Sequence, residues 1–323
     1  MKRQIGIVCG GYSGEAVVSM KSAQMILDHI DRSKYDPYQI VIEKEEWYCL
    51  IDGSKCPIDK NDFSFRHEDV KIKPELCFVI VHGTPGEDGK LQGYFEMIGM
   101  PHTTGNLLNL SLTFNKRASN DVLTSRGFKT TRGVLLKSMK DFDLKEIENN
   151  MKLPLFVKPN EGGSSIGMSK VNQFDELEQA LKKAFAEKTS VLIEEFLVGR
   201  EFTCGVLCTE GDYRAMEVTE IITEREFFDY EAKYTLDKTQ EVTPAHLSVE
   251  LYEKCKSISA EIAQSLDCVG VVRMDYIMVG DEFYLIEVNT VPGMSQASLI
   301  PKQAEAMGIS KTELIDLIIK TAV

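Results

Sequence analysis

Four polar side chains occupy alternate positions in two consecutive apolar stretches near the end of the chain. Arg273 and Asp275 lie in VVRMDYIMV, and Glu287 and Asn289 lie in EFYLIEVN. Because side chains alternate across a strand, each pair shares one face. Hard cations such as Mg²⁺ take carboxylate and amide oxygens, which are costly among apolar residues unless a cation is bound. The pattern predicts a magnesium-nucleotide site, with a buried ion pair between Arg273 and a carboxylate as the structural alternative.

The two strands must pair in one register for these side chains to meet. If they form a hairpin around Gly280, Asp275 lies opposite Glu287 only when the connection has an odd number of residues. We therefore predict a connection of the three-residue type rather than the two-residue type.

The composition is that of an acidic globular protein. The 323 residues suggest two or three domains. The 37 Lys and Arg residues against 50 Asp and Glu give a formal charge of -13, and no basic block occurs. Nucleic acid and anionic membranes are therefore not expected as partners, and an anionic ligand must be held by local cations or metals.

The cysteines and the N-terminus indicate a soluble protein of the cytoplasm. The eight cysteines are scattered without CxxC spacing, which predicts reduced and mostly buried thiols. The opening MKRQIGIVCGG predicts a strand entering a glycine turn rather than a signal peptide. No apolar stretch approaches the roughly 20 residues that span a bilayer.

The order of patterns along the chain predicts three units, 1–103, 104–194 and 195–323. The first has strand, glycine loop and helix patterns of doubly wound type, and its loops GGYSGE and HGTPGEDG follow apolar strands, where such sheets place ligands. The second and third contain shorter strands and helices. A charged aromatic stretch within about 222–242 predicts a lid loop, with an ordinary surface excursion as the alternative.

Several loops carry side chains that can bind a nucleotide. In PLFVKPNEGGSSIGMSKV, Lys158 ends a strand before a Gly/Ser loop whose N–H groups can surround phosphate oxygens. The spacing is not that of GxxxxGK[ST], which excludes a Walker-type site, and a plain surface turn is the alternative. In IEEFLVGREF, Glu194, Glu195 and Glu201 can accept hydrogen bonds from an adenine amine or ribose hydroxyls, or can be exposed charges on a hinge.

The remaining polar loops are ambiguous when taken singly. Glu15 in GGYSGE can hold a cationic group or supply a favourable charge to the first helical turn. His82 in HGTPGEDG can be satisfied structurally, and the acidic pair Glu87 and Asp88 can be a solvated turn.

Taken in order, six motifs resemble those of the D-alanine:D-alanine ligase family of ATP-grasp enzymes over about residues 4–309. They are GGYSGE, HGTPGEDGKLQG, VKPNEGGSSIGMSKV, FDYEAKY, VVRMDY and EVNTVPGMSQASLIP. The resemblance implies an α/β and α+β, three-domain ATP-grasp fold with an N-terminal doubly wound, Rossmann-like domain. It also implies ATP-dependent ligation of two D-alanines through an acyl phosphate, for peptidoglycan precursors. ATP is then a substrate, two Mg²⁺ ions (or Mn²⁺ in their place) are bound, and the protein is a homodimer.

The resemblance assigns roles by position. The nucleotide is contacted by Lys116, Lys158, Ser164, Glu194, Leu197, Glu201 and Lys233. The magnesium ligands are Asp275, Glu287 and Asn289. The substrates are held by Glu15, which takes the first ammonium, and by His82, Arg273, Ser298 and Leu299. The catalytic set is Glu15, Ser164, Tyr234, Arg273 and the Gly293 N–H, of which Glu15, Ser164 and Tyr234 form a hydrogen-bonded link that closes the lid.

The sequence departs from the family pattern at five positions. Ala16 and Val17 replace a polar or charged pair, and Gly162 replaces an acid, with Glu161 one place earlier. Asn115 and Asn120 stand where Asp and Lys are typical. These changes affect neighbours of the site rather than the residues assigned above.

Two rival functions remain open. A ligase joining D-alanine to D-lactate or D-serine uses the same activation, although Tyr234 and Leu299 favour D-alanine. A nucleotide-binding sensor without catalysis is the other, and Glu15, Arg273 and Ser298 argue against it because they have no task in ATP binding.

Overall fold

Three larger β-sheets with flanking helices, and a small two-stranded sheet, form the described part of the chain. The computed structural model describes residues 2–163, 166–187, 189–209, 211–223 and 239–322. The predicted mixed α/β and α+β class is confirmed. The limits of the three domains remain a prediction.

The first sheet has the strand order β4-β3-β2-β1-β7. Its strands are β1 (Arg3–Gly10), β2 (Tyr35–Ile42), β3 (Trp47–Ile51), β4 (Ser54–Pro57) and β7 (Leu76–Val79). The flanking elements are α1 (Ala16–His29), α2 (Lys90–Ile98) and the hairpin of β5 (Phe65–His67) and β6 (Val70–Ile72). Because β1 runs parallel to both β2 and β7, the loops that follow β1 and β7 emerge at the same edge of the sheet.

The second sheet has the order β10-β9-β11-β8 and its own core. Its strands are β8 (Gly133–Leu136), β9 (Leu155–Pro159), β10 (Ser169–Val171) and β11 (Val191–Glu195). Its helices are α5 (Leu144–Asn150) and α6 (Leu177–Phe185), with short 3₁₀ turns at Met139–Asp141 and Phe174–Glu176. The apolar stripe of α6 packs inward, since Leu177 and Leu181 are fully buried.

The third sheet has the order β14-β13-β12-β15-β16 and is antiparallel throughout. Its strands are β12 (Arg200–Thr209), β13 (Asp212–Thr223), β14 (Thr239–Val242), β15 (Gly270–Val279) and β16 (Glu282–Asn289). The helices α3 (Leu107–Phe114), α4 (Lys116–Ser125) and α7 (Val249–Ser265) contribute apolar residues to its core. The chain ends with α8 (Leu299–Ala306) and α9 (Lys311–Lys320).

The β15–β16 hairpin has the predicted register but not the predicted connection. Asp275 lies opposite Glu287, and Arg273 lies opposite Asn289. However, only residues 280 and 281 connect the strands, so the three-residue connection was wrong. A β-bulge supplies the extra residue instead, because Tyr276 pairs with Leu285 and leaves Ile286 unpaired between the two registers.

One hydrophobic core joins the first sheet to the C-terminal helices. It contains Ile5 and Ile7 of β1 together with Leu314 and Ile318 of α9. The first and third sheets are therefore packed together through α1, α8 and α9. All eight cysteines are buried and free, as predicted. None of the helices within the described residues has the length and apolar character needed to cross a membrane.

Candidate active site

The four polar side chains of the β15–β16 hairpin converge. Arg273 donates two hydrogen bonds to the Asp275 carboxylate, at 2.8 Å from Nε and 2.7 Å from the terminal nitrogen. Asn289 Nδ2 donates to Asp275 Oδ2 at 2.9 Å. Burial acts to lower the pKa of Arg273, but the Asp275 carboxylate outweighs it and holds that pKa above its ordinary value. The ion pair considered as an alternative is thus present within the expected cluster.

Two buried lysines approach this cluster from other elements. Lys158 on β9 forms an ion pair with Glu194 on β11 at 2.6 Å, and the two side chains are only 2% and 3% exposed. Lys116, the first residue of α4, donates to the Gly162 carbonyl at 2.7 Å and lies 3.7 Å from Glu287. Burial lowers the pKa of Lys116, and the Glu287 carboxylate partly opposes that change.

A cleft lies between the second and third sheets. Apolar side chains form much of its wall, among them Phe156, Met168, Leu197, Ile277 and Ile286. The polar lining includes Lys116, Lys158, Glu194, Glu201, Asp275 and Glu287. A largely apolar cleft with a few placed charges suits a ring system that carries an anionic tail.

A cavity of about 920 Å³ adjoins this cleft on the side of the first sheet. Its lining includes Glu15, His82, Asn289, Gly293 and Ser298. Four residues, Lys116, Arg273, Glu287 and Leu299, line both spaces. Fixed charges of both signs therefore lie where a ligand in the cleft would meet a ligand in the cavity.

Burial shifts the protonation of two acid–base groups beside the cavity. Burial lowers the pKa of His82 to about 4, although the Val291 carbonyl that accepts from Nδ1 at 2.9 Å acts in the opposite direction. Burial raises the pKa of Glu87 to about 8, and the Glu15 carboxylate adds to the rise. The Gly83 N–H donates to Glu87 at 2.7 Å and opposes that shift.

Comparisons with known proteins agree over nearly the whole chain. Family descriptions for the "D-ala D-ala ligase N-terminus" and "D-ala D-ala ligase C-terminus" match residues 4–105 and 125–320. The chain belongs to the D-alanine:D-alanine ligase family.

Individual relatives support this assignment. A D-alanine--D-alanine ligase of Parabacteroides distasonis is 42% identical, covering 98% of this chain and 97% of its own. A D-Ala:D-Ser ligase of Enterococcus faecalis superposes with a TM-score of 0.88 at 31% identity and covers 99% of both chains. A D-alanine--D-alanine ligase of Bacillus anthracis complexed with ATP superposes with a TM-score of 0.79 at 31% identity, covering 99% and 97%. The predicted family and its ATP-grasp fold are confirmed.

The structure brings together every described residue to which the family resemblance gave a role. Those expected to contact the nucleotide line the cleft, namely Lys116, Lys158, Glu194, Leu197 and Glu201. Those expected on the substrate side line the cavity, namely Glu15, His82, Arg273, Gly293, Ser298 and Leu299. Ser164, Lys233, Tyr234 and most of the expected lid lie outside the described residues.

Two of the departures that the resemblance implies are connected by a hydrogen bond between Asn115 and Glu161. Asn115 caps α4 by accepting from the Ala118 N–H, and its Nδ2 donates to Glu161 at 2.9 Å. An aspartate at 115 would keep the cap but set two carboxylates against each other. Gly162 has φ +115°, which an acidic residue rarely adopts, and the acid beside it at 161 is the partner of the Asn115 amide.

Asn120 takes part in satisfying the buried Glu194. Its Nδ2 donates to Glu194 Oε1 at 3.2 Å, and the Thr131 hydroxyl donates to the same oxygen. Lys158 holds the other oxygen. The remaining departures are milder, since Ala16 begins α1 and Val17 is 64% exposed.

Sequence reasoning missed several contributors to the site. Glu87, for which a solvated turn remained open, lines the cavity. Ile277 and Ile286 were not assigned to the cleft, although Ile277 lies two residues after Asp275 and therefore on the same face. That spacing was the available signal for Ile277, whereas Ile286 faces the cleft only because of the bulge.

Proposed function

We propose that this chain uses ATP to join two D-alanines into D-alanyl-D-alanine through an acyl phosphate, supplying peptidoglycan precursors. The observation that carries the proposal is the boundary shared by cleft and cavity, where Lys116, Arg273 and Glu287 face both spaces. Family membership with curated D-alanine--D-alanine ligases supports the substrate assignment.

The first step needs fixed positive charge beside the phosphates. A carboxylate is a poor acyl donor, so the first D-alanine carboxylate attacks the terminal phosphorus of ATP and ADP leaves. Lys116 and Lys158 line the cleft and are held in place by Gly162 and Glu194. Because they are nearly excluded from water, their charges act on phosphate oxygens with little solvent screening.

Asp275, Glu287 and Asn289 are the residues that would hold Mg²⁺. Among the described residues no group of three His, Cys, Asp or Glu side chains is arranged to hold a metal, and Asn289 would be the third ligand beside the two carboxylates. Two carboxylates and one amide oxygen on one sheet face are a suitable set for a hard cation that keeps several waters. When bound, Mg²⁺ neutralises charge on the phosphate oxygens.

The second step needs donors for an oxyanion. The amine of the second D-alanine attacks the acyl carbon, and the tetrahedral oxygen carries negative charge until phosphate leaves. Arg273 and the Gly293 N–H are the proposed donors. Glu15 would hold the first ammonium, and Ser298 and Leu299 would position the second substrate, so that two small molecules react as one bound pair. Ser164, Tyr234 and Lys233 would complete the closed site from the lid.

A ligase for D-alanine and D-serine is the second candidate. The observation that favours it is the 31% identical D-Ala:D-Ser ligase, which covers 99% of this chain. Incubation with ATP, Mg²⁺ and D-alanine, alone or with D-serine or D-lactate, followed by mass spectrometry of the products, separates the candidates. We expect D-alanyl-D-alanine as the main product. A mixed product in excess would favour the second candidate, and nucleotide binding without any product would favour a sensor.

Family resemblance supports three finer proposals. They are binding of two Mg²⁺ ions, for which Mn²⁺ can substitute, a homodimeric assembly and a cytoplasmic location. Light scattering of the purified protein tests the assembly, and titration with Mn²⁺ followed by electron paramagnetic resonance counts the ions.

A further inference from the structure

Ser22 is a fully buried hydroxyl on α1 that none of the proposed roles uses. Val18 and Lys21 of the same helix line the cavity. Ser22 Oγ lies 3.4 Å from His82 Nε2 and accepts a hydrogen bond from the Met294 N–H at 3.1 Å. One side chain of the first domain thus contacts both the loop after β7 and the segment between β16 and α8.

The hydrogen bonds determine which ring nitrogen of His82 carries the proton. A carbonyl oxygen can only accept, so the 2.9 Å contact with Val291 requires a proton on His82 Nδ1. In a neutral imidazole the other nitrogen is then an acceptor, and Ser22 donates to it. The Ser22 oxygen remains available to accept from Met294, so every polar atom of the chain of bonds is satisfied.

The two connections lie on either side of Gly293. His82 holds the carbonyl of Val291, and Ser22 holds the N–H of Met294. Gly293 lies between them. A Cβ atom at this position would lie 2.8 Å from Ser298 Oγ, so the Gly293 backbone also lies close to Ser298. Both anchors are buried, at 0% exposure for Ser22 and 6% for His82.

We propose that Ser22 and His82 are positioning residues that fix residues 291–294, and with them the Gly293 N–H, for the ligation step. The inference rests on the proposed function, and it gives His82 a task that needs neither proton transfer nor contact with substrate. Both ring nitrogens are used within the protein.

The electrostatic environment agrees with this assignment. The low pKa of His82, about 4, keeps the ring neutral at physiological pH, because burial penalises the imidazolium. The positive charge of Arg273 on β15 also disfavours the charged form. A neutral ring preserves the donor to Val291 and the acceptor for Ser22 across the working pH range.

Ser22→Ala tests the proposal, with Ser19→Ala as a matched control. Ser19 is equally buried on the same helix and bridges Gly10 and Ile80, but it has no described hydrogen bond to residues 290–298. We expect Ser22→Ala to lower kcat about tenfold to a hundredfold, as small misplacements of reacting groups do, while the Kd for ATP stays within about threefold. Ser19→Ala should lower the melting temperature by a similar amount but keep kcat within about threefold.

The proposal fails if Ser22→Ala retains wild-type kcat, or if both variants lose kcat equally. The pH profile adds a readout, since loss of positioning lowers the whole profile of kcat against pH without moving its limbs. A shifted limb would indicate proton transfer by His82 instead.

Substitution of His82 keeps the test decisive if Ser22→Ala does not fold. Asn has an amide N–H near the position of Nδ1 and can still donate to Val291, whereas Leu cannot. His82→Asn should therefore retain at least about ten times the kcat of His82→Leu. Equal rates in the two variants would overturn the proposal. A wild-type protein that makes no dipeptide would instead overturn the proposed function.

Discussion

The Lys158–Glu194 ion pair is a place where one substitution should have a large effect on stability. Both side chains are at most 3% exposed, and Glu194 also accepts from Asn120 and Thr131. Removing one partner of a buried pair leaves the other charge uncompensated. We expect Glu194→Ala to lower the free energy of unfolding by about 3 to 5 kcal/mol, measured by urea denaturation.

The exposed pair Lys182–Glu178 on α6 provides the matched control. Its side chains are 64% and 60% exposed, and its separation of 2.6 Å equals that of the buried pair. Glu178→Ala should leave the urea midpoint nearly unchanged because water screens the charges. Similar losses in both variants would show that burial does not determine the effect.

The raised pKa of Glu87 predicts that the stability of the fold decreases as the pH rises. Its folded-state pKa of about 8 lies above the ordinary value of 4.5. The folded state therefore binds the proton more tightly, and this stabilisation is complete below about pH 4.5 and is lost as the pH rises to 8. Glu87→Gln keeps an acceptor for the Gly83 N–H but has no charge to bury. The free energy of unfolding, measured at several pH values in metal-free buffer, should rise for the variant relative to wild type between pH 5 and 8. A constant difference between the two proteins over this range would contradict the prediction.

At the scale of elements, the β-bulge in the β15–β16 hairpin places Glu287 opposite Asp275. A two-residue connection alone would place Asp275 opposite residue 286, and the bulge restores Glu287. Deleting Ile286 removes the extra residue but leaves Asp275 opposite Glu287 and keeps Leu285 and Val288 facing the core. We expect this variant to fold, with a Kd for ATP raised about fivefold or more by loss of the apolar contact of Ile286.

Deleting Val288 is the control for that prediction. It also shortens β16 by one residue, but it turns Asn289 toward the core position that Val288 fills at 5% exposure. This variant should not give a folded protein, as judged by near-UV circular dichroism. If the two deletions behave alike, the registration of the hairpin has been misassigned.

The same hairpin shows how far the sequence could predict the site. Alternation of polar and apolar residues placed Arg273 with Asp275 and Glu287 with Asn289, because a strand has a period of two. The bulge could not be foreseen, since Ile286 is an ordinary strand residue and its displacement depends on the partner strand. The contacts of Ser22 with His82 and Met294 could not be predicted either, because both partners are distant in sequence.

At the scale of the whole molecule, the cores divide the chain into two packing groups. Leu314 belongs to the core that joins β1, α1 and the C-terminal helices, whereas Leu181 belongs to the core of the second sheet. Both leucines are fully buried. The cleft therefore lies between a part that contains the first and third sheets and a part that contains the second sheet. Local opening should follow the same division, because amides exchange in cooperative units.

Leu314→Ala and Leu181→Ala test this division as a matched pair. Each should lower stability by about 2 to 5 kcal/mol through the cavity it leaves. In hydrogen exchange read by mass spectrometry, Leu314→Ala should weaken protection in β1 and β15 together while β9 and β11 keep theirs. Leu181→Ala should do the opposite. Loss of protection throughout the chain in both variants would show that the three sheets unfold as one unit. The second sheet would then not open independently of the other two.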